Sequence, residues 1–149
     1  MLNVPTLLIV GAGASAELGF PVGTALRDRI SEILGLTYQG TMFEGPDQAF
    51  ADYLSDWCFQ QNLDHYEVWQ AAASVSRALP LSASIDSYLD SHINNPLRSS
   101  CGKLAIARSI SRAENASPLI SNNDREAQNF DFRPLSVTWY QRLWSVMQT

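Results

Sequence analysis

Thr6-Leu7-Leu8-Ile9-Val10, followed by Gly11-Ala12-Gly13-Ala14-Ser15, is the stretch on which the reading of the fold turns. An unbroken apolar run ended by glycines predicts a strand covered on both faces, as strands of parallel sheets are. Gly11, Gly13 and Ala16 then satisfy G-x-G-x-x-[G/A] directly behind it. In such a loop the first glycine permits the tight turn and the second lets main chain approach a pyrophosphate. The small third residue lets the next segment pack against the strand. The N-terminus of a following helix offers unbonded N–H groups and the positive end of its dipole. A tight strand-to-helix turn that holds no ligand is the alternative reading of the same residues.

Working outward, the pattern becomes helical. Leu26, Ile30, Ile33 and Leu34 share one face, with Thr24 as the expected cap and Gly35 as the stop. Residues 35–46 hold three glycines and a proline and read as a loop, Leu36-Thr37-Tyr38 being too short to count as a strand. Phe50, Leu54, Trp57 and Cys58 predict a helix over 47–61. A second is predicted over 64–79, with Tyr66, Trp69, Ala73 and Val75 or Ser76 on its stripe. Ser84 caps a third that carries Ile85, Tyr88, Leu89, His92 and Ile93. A fourth covers 101–114 with Ile106 and Ile110. Residues 115–134 read as a long loop, and a last helix begins near Leu135 with Tyr140, Leu143, Trp144 and Met147 on one face.

Composition narrows the function classes. The chain has 149 residues, 46% hydrophobic and 17% charged, which fits one globular domain with a substantial core. Its formal net charge of −5 argues against a protein that tracks nucleic-acid phosphates. Nine arginines and Lys103 are spread without a cluster, so no basic membrane patch is expected. Cys58, Cys101, His65 and His92 match no zinc-site spacing, so no metal is expected and the thiols read as buried and free. No signal peptide or membrane span is evident, and a soluble, reducing, cytoplasmic setting is the expectation.

Gly11-Ala12-Gly13-Ala14-Ser15 followed by Gly19-Phe20-Pro21 resembles the opening of sirtuin-type NAD-binding domains, which continue from Gly-Ala-Gly-x-Ser to Gly-[Ile/Phe]-Pro at these offsets. Protein-deacylating sirtuins follow the proline with Asp-Phe-Arg. Here Val22-Gly23-Thr24 stands instead, which is similar to the bacterial branch found in antiphage-defence proteins that consume NAD. Ser84–Leu89 and Gly102–Ala107 resemble that branch's helical region. The resemblance implies an α/β, Rossmann-like fold, mostly helical here, with one clear N-terminal parallel strand. It implies a single domain over 1–149 with residues 47–114 as a helical cap. It further implies NAD as ligand or substrate, bound through Gly11, Ala12, Gly13, Ala14, Ser15, Gly19 and Pro21, with cleavage of the nicotinamide–ribose bond in a complete domain. A second copy of the chain or a downstream effector domain is left open as partner.

One strand among six helices is an odd inventory, because a buried strand needs neighbours for its hydrogen bonds. The expectation is that the chain is the first part of a longer domain and inactive alone, so no catalytic residue is assigned. Gln61-Asn62-Leu63-Asp64 spells a Gln-Asn-Ile-Asp-like motif with His65 behind it. The motif requires a preceding strand, whereas Asp56–Gln60 keep a helical period. A helix junction is predicted, with Asn62 ending one helix and Asp64 capping the next. His92 reads as a core or boundary histidine, Asp86 as a first-turn carboxylate, Glu32 as a helix-surface charge, and Arg108, Arg112 and Glu114 as a solvated face. Arg27 and Arg29 read as ordinary solvated helix arginines. The Trp139–Trp144 helix is read as core, with a partner-binding face as the alternative. Two rival functions stand beside the first. One is a non-catalytic helical interaction or regulatory module that keeps a degenerate nucleotide loop. The other is a fragment of a flavin- or NAD-linked oxidoreductase, which lacks the expected acidic residue at the end of a second strand.

Overall fold

The structure, a computed structural model, describes residues 11–117 together with Thr138, Trp139 and Ser145. Its regular elements are a seven-residue 3-10 helix, Ala12–Leu18, then α1 (Gly23–Ile33), β1 (Thr37–Gln39), β2 (Met42–Glu44), α2 (Gln48–Gln60) and α3 (His65–Ala78). A 3-10 turn, Leu79–Leu81, leads into α4 (Ile85–Ser91) and α5 (Pro96–Ala116). Helix accounts for 71% of it, so the mostly helical expectation holds. The sheet differs from expectation: among the described residues it is one antiparallel hairpin, with Thr37 opposite Glu44, Tyr38 opposite Phe43 and Gln39 opposite Met42. The expected parallel strand at Thr6–Val10 lies outside the described residues, as do the loop over 118–134 and the greater part of the last helix.

The chain divides into two compact units, Gly23–Ser109 and a second made of Met1–Val22 with Ile110–Thr149. In the first, Ile30, Ile33 and Leu34 of the α1 stripe pack with Leu36, Phe43, Phe50, Leu54 and Cys58. Ala51, Val68, Ala71, Ala72, Val75, Leu79, Tyr88, Cys101 and Ala105 complete that core. The predicted faces of α1 and α2 are the buried ones. Of the predicted stripe of α3, Val75 is buried, with Val68, Ala71 and Ala72 beside it in place of the other predicted residues, and Tyr66 is 48% exposed. The two alanines keep the α3 surface low, and α1 comes close enough for Ser31 Oγ to donate to the Ser76 carbonyl and Ser76 Oγ to the Ser31 carbonyl at 2.7 Å. Tyr66 and Trp69 instead meet Tyr38 of the hairpin, with ring centroids 5.8 and 6.0 Å away.

The loop reading of residues 35–46 is corrected by the hairpin. Gly40, at φ 73°, supplies the left-handed residue of the two-residue connection, and Trp69 Nε1 donates to the Leu36 carbonyl at 2.9 Å on the entry side. Thr24 is inside α1 rather than its cap, since the helix already begins at Gly23. Gly35 follows α1 as expected, but without a left-handed φ. It is confined because a Cβ there would stand 3.1 Å from the Glu32 carbonyl oxygen.

Two caps form as the sequence foretells. Asp64 accepts from the amides of Tyr66 and Glu67 at 2.7 and 3.1 Å, and Ser84 from that of Ser87 at 3.0 Å. α5 begins at Pro96, five residues before the predicted start, with Asn95 Oδ1 accepting from the Arg98 amide.

Candidate functional site

Gly11 stands in extended conformation at the N-terminus of the 3-10 helix, and its carbonyl accepts from the Ala14 amide at 3.0 Å. The amides of Ala12 and Gly13 therefore precede the first intrahelical bond. Gly11 and Gly13 are both exposed, and a Cβ built on either meets nothing within 4 Å. Their main chain is open to an approaching group. Neither has a positive φ, so neither is needed for the backbone path itself. Ala14 and Ser15 are half-buried. Gly19 ends the helix at φ 87°, its N–H pointing back to the Ala16 and Ser15 carbonyls. Phe20 N–H also reaches the Ser15 carbonyl, at 3.2 Å, and Pro21 is buried. The candidate residues are thus one continuous short helix and its closing turn.

The expected α-helix behind the loop is a seven-residue 3-10 helix instead, and α1 starts only at Gly23. A helix this short sums few peptide dipoles. Any anion at the loop would depend on individual amides rather than on a macrodipole. Sequence reasoning also missed what holds this helix. Trp139 Nε1 donates to the Ala14 carbonyl at 2.8 Å, and the Trp139 amide donates to a Glu17 carboxylate oxygen at 2.7 Å. These contacts span more than 120 residues of chain, a range no spacing rule reaches.

The Gln61–Asp64 motif is a helix junction. Asn62 adopts φ 52°, its N–H bonds the Phe59 carbonyl at 3.2 Å, and the Leu63 N–H bonds that of Cys58 at 2.9 Å. This is the Schellman arrangement with asparagine in the glycine position. His65 opens α3 with its ring 5.8 Å from that of Phe43. His92 is the boundary histidine expected: it stacks on Tyr88 at 4.3 Å, and its Nδ1 lies 2.9 Å from the Tyr88 carbonyl and from Ser91 Oγ. Glu32 is an exposed helix charge.

Arg108 departs from its reading as a solvated face. Its Nε and Nη2 donate to the two carboxylate oxygens of Asp47 at 2.7 and 2.9 Å. Asp47 is buried and also caps α2 by accepting from the Phe50 amide at 3.2 Å. The hydrogen bonds to Asp47 push the Arg108 guanidinium pKa above its already high ordinary value. Arg27 is likewise only 23% exposed.

Cys58 and Cys101 are free and fully buried. Burial drives Cys58 up to about 11 and Cys101 to about 12, which makes both poor nucleophiles near neutral pH. Among the described residues no trio of His, Cys, Asp or Glu could hold a metal ion, and no helix is long and apolar enough to cross a membrane. Comparison of the chain with protein-family models, with curated proteins and with solved structures gave no match.

Proposed function

We propose that this chain is a sirtuin-like, Rossmann-type NAD-binding domain. In this reading the main chain of Gly11–Ser15 takes the pyrophosphate, and Gly19–Pro21 forms the turn beside it. The protein that carries the domain would hydrolyse NAD to nicotinamide and ADP-ribose. The observation that supports this reading is the paired exposure of Gly11 and Gly13. Open space stands where each Cβ would be, and both lie at the start of a short helix whose closing glycine is the one in Gly19-Phe20-Pro21. Glycines that neither a positive φ nor close packing requires suit an approaching ligand.

Thermal unfolding with and without NAD tests the binding. A ligand at 100 times its Kd adds about 2.7 kcal/mol to stability. Gly13→Leu should keep the fold, because a Cβ there meets nothing within 4 Å and no positive φ is strained, and should lose the NAD-dependent gain. Release of nicotinamide from NAD by the protein carrying this chain tests the hydrolase. A bound chromophore on purification would favour the oxidoreductase. No nucleotide-dependent gain at all would favour a helical interaction module, a reading to which the outward-facing Tyr66 of α3 gives some support.

A further inference from the structure

A cavity of about 390 Å³ lies within the Gly23–Ser109 unit, where the first turns of α1 and α4 face Ile106 of α5. Leu26, Ile85 and Ile106 give it apolar walls, and Arg27 is the cation that lines it. The Arg27 side chain is 23% exposed, and its guanidinium makes a single hydrogen bond. Nη1 donates to the Ser82 carbonyl at 3.3 Å, while Nε is buried and makes no hydrogen bond. The Asp28 carboxylate stands 3.6 Å from Nε, beyond hydrogen-bond reach, and is 68% exposed. A guanidinium carries five donors. Arg108 in the same unit places two of them on a buried carboxylate. Arg27 has no such buried carboxylate, and an acceptor entering the cavity would meet the part of its side chain that stays open.

The walls also indicate the kind of acceptor. Asp86 lines the same cavity, and Asp28 stands beside Arg27, so a doubly charged phosphate would meet about twice the repulsion that a single carboxylate meets. The planar fork of arginine matches a carboxylate in two parallel hydrogen bonds. The volume is near the lower end for small-molecule pockets, and the apolar walls ask for hydrocarbon beside the charged group. We propose that this cavity binds a small aliphatic carboxylic acid, its carboxylate on Arg27 and its hydrocarbon against Leu26, Ile85 and Ile106. The site is independent of the glycine loop and of the NAD reading.

Titration of the ¹⁵N-labelled full chain with 3-methylbutanoate, 3-methylbutanamide and inorganic phosphate, followed by NMR, tests it. The expected result is saturable shifts at Thr24, Arg27, Ile85 and Asp86 with the carboxylate, at least tenfold weaker binding of the amide, and none with phosphate. Arg27→Gln should weaken carboxylate binding at least tenfold. Ile106→Phe, which narrows the cavity and leaves the guanidinium in place, should abolish it and stands as the test if Arg27→Gln does not fold. Absence of saturable shifts, equal binding of acid and amide, preference for phosphate, or binding unchanged in a folded variant would each overturn the proposal.

Discussion

Asp47 carries two duties at one side chain. It caps α2 and anchors Arg108 from 61 residues away, while itself 5% exposed. Removing one partner of a buried pair strands the other, which is where the large losses arise. Asp47→Ala should therefore cost about 3 kcal/mol, read as a lowered urea midpoint at unchanged m-value. Arg108→Ala should cost a comparable amount, because it leaves the buried Asp47 carboxylate without its guanidinium, whereas Arg108 is one-third exposed and reaches water when Asp47 is removed. The two should be strongly non-additive in a double-mutant cycle. A loss under 1 kcal/mol for Asp47→Ala would contradict this account. Arg108 shows the limit of reading side chains from spacing. On its own helix it stands near Arg112 and Glu114 as any solvated charge does, and nothing local names Asp47. Gly13 was legible as a glycine open to approach, because the glycine loop is a local feature, whereas Gly11, read as the residue of a tight turn, is extended and equally open. Trp139 and Glu17, which hold the helix behind that loop, were not legible, since their contacts are made across the chain.

At the scale of elements, what could be read were the helices whose signals are local: an apolar period plus a cap. Asp64 is the clearest case, a single carboxylate oxygen holding two amides at the start of α3. Asp64→Ala should cost about 1 kcal/mol, and Asp64→Ser should restore most of it. A thermal-melt series on the three proteins measures this, and equal loss for alanine and serine would exclude a capping role. The hairpin was missed because its strands have three residues each, shorter than any window in which alternation shows. The glycines that read as loop include the one that makes the turn. Gly40→Ala should accordingly destabilise by about 1–2 kcal/mol, the penalty for a side chain at left-handed φ. Its open surroundings exclude a steric explanation. Apart from Val75, the stripe of α3 differs from the periodic reading because large aromatic residues outweigh alanines in a periodicity count. In the fold Ala71 and Ala72 face the core, and Tyr66 and Trp69 lie against Tyr38.

The whole molecule has a pH dependence that follows from its core. Cys58 and Cys101 ionise at about 11 and 12 in the fold against an ordinary value of 9.0, burial being the chief cause, and Tyr88 is raised in the same direction for the same reason. A raised pKa means that the folded state keeps its proton where the unfolded chain gives it up. The associated stability is complete below pH 9 and is lost as pH rises through the folded values. Between pH 9 and 11 each thiol should remove up to about 1.4 kcal/mol per pH unit. Urea unfolding at pH 8, 9 and 10 measures the slope. The Cys58→Ala/Cys101→Ala protein should start less stable, because two buried sulfurs leave space behind, yet show a shallower alkaline decline. An equally steep decline in that variant would place the alkaline sensitivity in other groups. The same burial predicts that iodoacetamide leaves both thiols unmodified at pH 8 until denaturant is added, since only the thiolate reacts and neither sulfur is exposed.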